Sequence, residues 1–454
     1  MTRLILAVSF LIAGFIGNPA IAGAQGQTAP SPAVHGGAQA GPPGGTLVRT
    51  PLTLKQAEAI ALKNNPQITI GKLHALQAQQ FVREVRSALL PNAYLSLTGV
   101  ASQENSRIAA GGLNNPIIFQ RAAGGATVSQ LVTDFGRTTN LLSSSRYESK
   151  AEDENAVATT ADILLAVDQA FYNALETKAL LKVSQQTVDA RQALVDKVQA
   201  LTNAKLKSDL DLSFAKVEVA RAQLLQLESK DNYETSLATL SAILGYPTEQ
   251  NFQLIETPPG TAPPAPDVNP LIQQALQQRP EVLALQNQVL SAEKFSSAEH
   301  DLWRPTISAL GAVGGTPVRD SHLSSWYGAV GVNVNIPVFN GFLYNARSKS
   351  ADLQAEVQRQ KLMDMKNNIA RDVRNAWQDS NQAYKRLTVT QQLREEANLA
   401  MDLAQARYNL GLSSIVEFTQ AELQKTEADI EDTDARYQYG LTRIVLAYTI
   451  ATPR

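Results

Sequence analysis

The chain has 454 residues, a formal net charge of −2 and no cysteine. The missing thiols exclude disulfides, thiol nucleophiles and cysteine-ligated metals, and the near-neutral balance leaves no basic footprint for nucleic acid. Length alone predicts about three domains, yet Gly and Pro are clustered and absent from long intervals, a pattern of long helices.

At the N-terminus, Arg3 precedes an apolar run over residues 4–16, and Ala20-Ile21-Ala22 offers a small-x-small cleavage site. Residues 1–22 read as a secretory signal peptide; the competing reading, a membrane anchor, wants a longer run. No cysteine follows to carry a lipid, and no other apolar run is long enough for a transmembrane helix. An exported chain of this kind either stays soluble or inserts as a β-barrel. Residues 23–51, rich in Gly, Pro, Ala and Ser, are predicted to be disordered.

Residues 52–247 form a first unit. Thr53 is placed to cap a short helix ending near Asn64, with Leu54, Ala57, Ile60 and Ala61 on one face. Pro66 opens a second helix, which Pro91 stops. Ala93, Leu95 and Leu97 alternate with Tyr94, Ser96 and Thr98, predicting a strand over about 93–103. After a turn-rich loop at 104–123 comes a strand over about 124–133 and the turn Asp134-Phe135-Gly136. Residues 137–244 then contain neither Gly nor Pro, and Ile163, Val167, Ala170, Ala174, Leu181, Val188 and Val195 recur at helical spacing. This predicts two coiled-coil-like helices broken near 203–208, Ser208 capping the second. The first would have roughly 65 residues and span about 100 Å.

Residues 248–269 are a linker with little regular structure, carrying Pro258, Pro259, Pro263, Pro264 and Pro266. The pattern then restarts over 270–454, with helices, strands at about 305–315 and 326–338, and long helices over 341–450. Pro66 and Pro280 are separated by the same interval as Pro91 and Pro305, and Ala61-Leu62 meets Ala275-Leu276 in that register. SDLDLSFA at 208–215 meets SIVEFTQA at 414–421. Two prolines, two strand pairs and two helix breaks in one order indicate internal duplication. In the last strand Val330, Val332, Val334 and Ile336 alternate with Ala329, Gly331, Asn333 and Asn335. In a membrane barrel the valines would face lipid and the asparagines a water-filled lumen. Pro337 stops the strand and Asn340-Gly341 turns the chain into a helix.

Four strands cannot close a barrel, and lipid does not tolerate an open sheet edge, so several chains must share one barrel if these strands enter a membrane. The last long helix also needs neighbours. Ile369, Ala376, Ala383, Ala397 and Ala404 recur at heptad spacing, with Val373, Leu387, Met401 and Tyr408 in a second row.

With these features the chain resembles the TolC family of outer-membrane efflux proteins over about residues 52–451. The resemblance rests on Leu52-Thr53-Leu54 with Ala57, Ala61 and Asn65-Pro66; on Leu89-Leu90-Pro91; on Asp134, Gly136 and residues 240–245. Its most specific part is Ile336-Pro337-Val338-Phe339-Asn340-Gly341, joined by Tyr408-Asn409-Leu410-Gly411 and Ile415-Val416-Glu417-Phe418 at a helix tip. It implies a mainly α fold with a membrane β-barrel: a homotrimer with a shared twelve-stranded barrel in outer-membrane lipid, continued by an α-helical coiled-coil barrel across the periplasm. It further implies an export duct gated at its periplasmic tip, a periplasmic adaptor (membrane fusion) protein, and an inner-membrane pump of RND, ABC or MFS type.

Carried over by position, Glu417 and Gln420 fall where gate carboxylates ring the pore, so the ring would hold one carboxylate per chain. Tyr408 falls on a gate tyrosine, Asp211 on its acidic partner, Ser413 on a basic gate position and Lys207 on the counterpart of Ser413 in the first unit. The plainer alternatives are a solvated helix carboxylate for Glu417 and coiled-coil packing for Tyr408. Pro91, Gly136, Pro305, Pro337 and Gly341 would mark strand–helix junctions. Trp326 and Tyr327 would be membrane-interface aromatics, or simply loop packing. His35, His74, His300 and His322 are scattered without metal spacing, and no Gly-rich phosphate loop occurs, so no enzyme, cofactor or metal is expected. The alternative to a channel is a periplasmic coiled-coil adaptor or scaffold without a pore.

Overall fold

Thr53 accepts a hydrogen bond from the Gln56 amide while the Gln56 side chain accepts from the Thr53 amide, a capping box that starts the first helix. The computed structural model describes residues 50–101, 107–110, 113–117, 121–256, 262–319 and 324–452. The expected signal peptide, residues 23–49, His35, His322, Pro258 and Pro259 lie outside them. In chain order the elements are β1 (Thr50–Leu52), α1 (Leu54–Asn64), α2 (Pro66–Ser87), β2 (Asn92–Val100), β3 (Arg107–Ala110), β4 (Leu113–Ile117), β5 (Arg121–Thr133), α3 (Arg137–Asn203) and α4 (Asp209–Ile243). There follow β6 (Phe252–Leu254), α5 (Asn269–Gln278), α6 (Pro280–His300), β7 (Thr306–Val318), β8 (Trp326–Asn335), α7 (Leu343–Asn409) and α8 (Ile415–Thr449).

Two stretches expected to lack structure are ordered. Thr50 and Pro51, placed in the disordered segment, belong to β1, which pairs in parallel with β6 inside the expected linker, Leu52 opposite Leu254. Leu52, Phe252 and Leu254 are buried against Val167, Phe171 and Leu240. Apolar burial of this kind outweighs the cost of ordering a few residues, and strands of three residues carry no readable period. The loop at 104–123 holds an antiparallel hairpin, β3 with β4.

The main sheet is antiparallel in the order β2-β5-β7-β8. Its register sorts the side chains. Val332 stands opposite Ala309, Val330 opposite Gly311 and Val334 opposite Ile307. Through Ala309↔Gln130, Gly311↔Val128 and Val313↔Ala126 the same face continues to Ala93, Leu95 and Leu97 on β2. Tyr94, Ser96, Thr127, Ser129, Ser308, Asn333 and Asn335 fall on the other face, because side chains alternate along a strand. The apolar face is bare within one chain: Val330 is 94% exposed, Val332 68% and Leu97 82%.

The sheet runs directly into the two longest helices. α3 and α7 each have 67 residues and so span about 100 Å at 1.5 Å per residue. Each turns back as a 35-residue helix, α4 or α8, giving two helical hairpins. Near the sheet, α3 packs on α2 and α6, and α6 on α7; farther along, α3 also meets α8. On α7 the buried positions include Ile369, Val373, Ala376, Leu387, Ala397, Ala404 and Tyr408, where small side chains let helices approach closely. Among the described residues no helix is long and apolar enough to cross a membrane.

Candidate functional site

Two places hold the residues singled out from the sequence: the junctions between sheet and helices, and the tips of the hairpins.

At the first junction Phe135 and Gly136 both have positive φ, 54° and 115°. The Asp134 carboxylate accepts from the Gly136 and Thr138 amides at 3.3 and 2.7 Å, satisfying backbone donors at the start of α3. Arg304 donates to the Phe135 carbonyl at 2.6 Å and pairs with Asp301 at 3.0 Å, while Asn140 donates to Asp301 at 2.9 Å. The turn before α3 is thus tied to the segment before β7. Pro91 and Pro305 precede β2 and β7, and Pro337 follows β8. At the second junction Gly341 and Phe342 take φ of 61° and 64°, and Phe342 meets Phe339 edge-on at 5.8 Å. Here Asn340 replaces the aspartate, and both its side-chain polar atoms are buried without a partner among the described residues.

Trp326 and Tyr327 part company. Trp326 shares the face of the valines, with its ring over Gly328. Tyr327 lies on the opposite face, across Gly314 and Gly125, where a methyl group on either glycine would collide with it. Adjacent strand residues point to opposite sides, so the two residues lie on different faces of the sheet. Trp326 alone sits with the apolar face.

At the tips both loops use one device. Ser208 accepts from the Asp211 amide at 3.1 Å to start α4, and Ser414 accepts from the Glu417 amide at 3.3 Å to start α8. The two acids therefore hold equivalent positions in the first turn of a returning helix, where the helix dipole favours negative charge. They use their carboxylates differently. Asp211 turns back to accept from the Ser208 amide at 3.3 Å, completing a capping box. Glu417 pairs with Arg407 Nε on α7 at 3.0 Å, both side chains about half exposed.

Tyr408 is 4% exposed and stacks on Phe418 with ring centroids 5.2 Å apart. The Lys207 ammonium lies 4.4 Å from the Tyr408 ring centroid. Around the pair are Leu194, Val195, Val198, Leu212, Ala215, Val219 and Ile415. The Tyr408 hydroxyl is buried without a hydrogen-bond partner among the described residues. Burial, with the Asp211 charge added, pushes its pKa above the ordinary tyrosine range. Lys197 donates to the Asn409 side chain at 2.5 Å, tying α3 to the end of α7 beside a cavity of about 170 Å³ that Tyr408, Lys207 and Gly411 also line. Ser413 Oγ is buried without a partner among the described residues, and Gln420 is exposed.

The structure thus brings Tyr408, Lys207 and Asp211 together in one cluster and leaves Glu417 and Gln420 at its surface. Sequence reasoning missed Arg407 and Lys197, and held Phe418 only as part of the tip motif. The first had a signal: Arg407 and Glu417 lie equally far from Leu412 at the turn, so an antiparallel hairpin sets them side by side. Among the described residues no group of His, Asp and Glu is arranged to hold a metal.

Comparison with known proteins places this geometry. A family model for outer membrane efflux proteins matches residues 59–246 and 271–450. The outer membrane protein TolC of Escherichia coli (strain K12) is 22% identical over 432 residues, covering 88% of this chain and 83% of that protein. The probable efflux pump outer membrane protein TtgC of Pseudomonas putida is 22% identical, covering 81% and 76%. Among solved structures, the outer membrane protein VceC of Vibrio cholerae superposes with a TM-score of 0.73 at 16% identity, covering 87% of this chain and 95% of that one. The open state of the Neisseria gonorrhoeae MtrE outer membrane channel does so with a TM-score of 0.72 at 17% identity, covering 87% and 88%.

Proposed function

The chain belongs to the outer membrane efflux protein family, and from that membership we propose that it is the exit duct of a tripartite efflux or type I secretion system. It is an outer-membrane protein with a large periplasmic helical portion. Channels of this family are trimers that work with a periplasmic adaptor and an inner-membrane pump. For this chain the pump, of RND, ABC or MFS type, supplies the energy through the adaptor, and the chain itself is a passive pore.

The observation that carries the reading is a four-stranded sheet left open at both edges. Among the described residues β2 pairs only with β5, and β8 only with β7. Each unpaired backbone group in lipid costs several kcal/mol, about 2–7 by transfer measurements. Three chains, β8 of one on β2 of the next, close a twelve-stranded barrel with its apolar face outward. The long helices then continue it as a water-filled coiled-coil barrel. Two family-matched stretches, one in each half, support an internal duplication. So do the equal lengths of α3 and α7, 67 residues each, and of α4 and α8, 35 each. The orphaned Asn340 fits a junction completed by a neighbouring chain.

At the tip, Tyr408, Lys207 and Asp211 hold the closed loops together, with Ser413 behind them. Glu417 and Gln420 face the narrowing, each Glu417 partly neutralised by Arg407. Reconstitution in planar bilayers tests the whole: the purified trimer conducts ions, weakly while its tip is closed. Recovery of the chain as a soluble periplasmic monomer would overturn the duct and favour the adaptor or scaffold.

A further inference from the structure

The placement of Tyr327 is explained neither by closure of the barrel nor by the tip. Gly314 stands directly opposite it on β7, Gly125 stands opposite Gly314 on β5, and Ser96 on β2 ends the row. A methyl group on Gly314 or on Gly125 would in either case collide with the Tyr327 hydroxyl. The hydroxyl therefore lies between β7 and β5. With strands about 4.8 Å apart, that is about 7 Å to the side of its own strand, close to the full length of a tyrosine side chain. The ring thus runs along the wall and does not project from it. The floor beneath it admits only glycine. A methyl on Gly314 would also come within 2.6 Å of the Gly124 carbonyl, and one on Gly125 within 2.9 Å of the Val313 carbonyl.

The rest of the ring is open. Tyr327 is 41% exposed, and the next row on its face, with Ala312 and Ala329, has one-carbon side chains beside it. The same face carries Asn333 and Asn335, and in the duct it lines the lumen. From the row of Asn333 to the row of Tyr327 it holds no charged residue. A cation moving past meets no carboxylate there, and the strongest attraction on offer is the negative face of an aromatic ring. Tyr94 is a second ring on this face, but it stands opposite Thr127 and not a glycine, and is 65% exposed. Tyr327 is held in place before any ligand arrives, so contact with it costs little side-chain entropy.

We propose that Tyr327 is a cargo contact in the barrel lumen, where its glycine floor keeps the ring along the wall and presents the ring face to passing organic cations. This rests on the duct reading above. The floor serves both ends. The passage stays clear, and one ring from each chain of the trimer faces it at a single level. The class favoured is a cation with an apolar shell, such as a quaternary ammonium, which gives up little hydration to meet a ring. Anions gain nothing from the negative ring face.

The test is block of the reconstituted trimer by tetrabutylammonium, added on the barrel side while potassium chloride carries the current. Tyr327→Leu keeps bulk over the glycines and removes the aromatic face. It is expected to raise the blocking concentration about two- to fivefold, the range of an exposed cation–π contact. Tyr327→Phe keeps the ring and should be blocked as wild type is. Butanesulfonate, an anion of similar apolar character, should act alike on all three, whereas a lumen merely reshaped by the substitution would change both probes. If Tyr327→Leu does not assemble as a trimer, Tyr327→Met, flexible and not aromatic, carries the comparison. Unchanged tetrabutylammonium block in Tyr327→Leu, equal weakening in Tyr327→Phe, or a parallel shift for butanesulfonate overturns the contact alone. A trimer that conducts in no variant, wild type included, removes the duct reading and the contact together.

Discussion

Replacing Val332 by Arg tests the face assignment on which the membrane reading depends. Val332 stands mid-strand in β8, opposite Ala309 on the apolar face, and is 68% exposed in a single chain. In a closed barrel that exposure is to lipid. An arginine at the bilayer midplane of such a barrel costs about 2–4 kcal/mol. Three symmetry-related copies bring the cost to roughly 6–12 kcal/mol per trimer, comparable to the whole stability of many domains. The control lies one residue along. Asn333 stands opposite Ser308 on the other face, so Asn333→Arg meets water, costs within about 0.5 kcal/mol, and should change conductance rather than assembly. The assay is the yield of heat-resistant trimer in the outer membrane, with urea unfolding in vesicles for the magnitude. Val332→Arg inserting as well as wild type, or Asn333→Arg failing in its place, would refute the assignment.

Three further outcomes follow from the tips and the helix packing. Glu417→Gln should weaken block of the reconstituted pore by multivalent cations, whereas Arg407→Ala should strengthen it by freeing the carboxylate; the exposed pair contributes about 0–1 kcal/mol, so the shift in blocking concentration should stay within about tenfold in titrations of single-channel current. Tyr408→Phe removes a hydroxyl that has no partner and should leave thermal stability unchanged or slightly raised, while Tyr408→Ala, which empties the space beside Phe418, should cost about 3–5 kcal/mol in denaturant unfolding. Glu176 on α3 is pushed up to about 8 by burial and by its hydrogen bond to Asp434, with Arg386, 2.7 Å from Asp434, opposing. A carboxyl raised in the folded state binds a proton there that the unfolded chain has already released, so stability falls as pH rises from about 4.5 to about 8. Melting curves at pH 5 and pH 8 should show the fall, and Glu176→Gln should flatten it.

The readable parts of this chain are those with many repeats of one period. Residues 137–244 could be split into two helices because Gly and Pro are missing and Ser208 is an evident cap; the structure has helices Arg137–Asn203 and Asp209–Ile243 with Ser208 bonded to Asp211. The alternation of Val330, Val332 and Val334 with Ala329, Gly331 and Asn333 likewise specified a two-faced strand. The unreadable parts are single pairings between distant residues. β1 and β6 have three residues each and meet across most of the first half of the chain. At the tips, position in the first turn of a helix made Asp211 and Glu417 equivalent, but one bonds to its own cap and the other to Arg407, a difference set by side-chain length and by what the opposing helix offers.

Sequence alone determined the long helices and the strands of the main sheet, because each is written in repeating local spacing, and its motifs carried the resemblance to the outer membrane efflux family. It left Tyr327 grouped with Trp326, and it was silent on the glycines beneath the tyrosine ring. Only the tertiary structure decided those. The sheet register turns neighbours to opposite faces, and it sets Tyr327 across Gly314 and across Gly125, which is distant in the chain. Local energies act along the chain, and register and burial act across it.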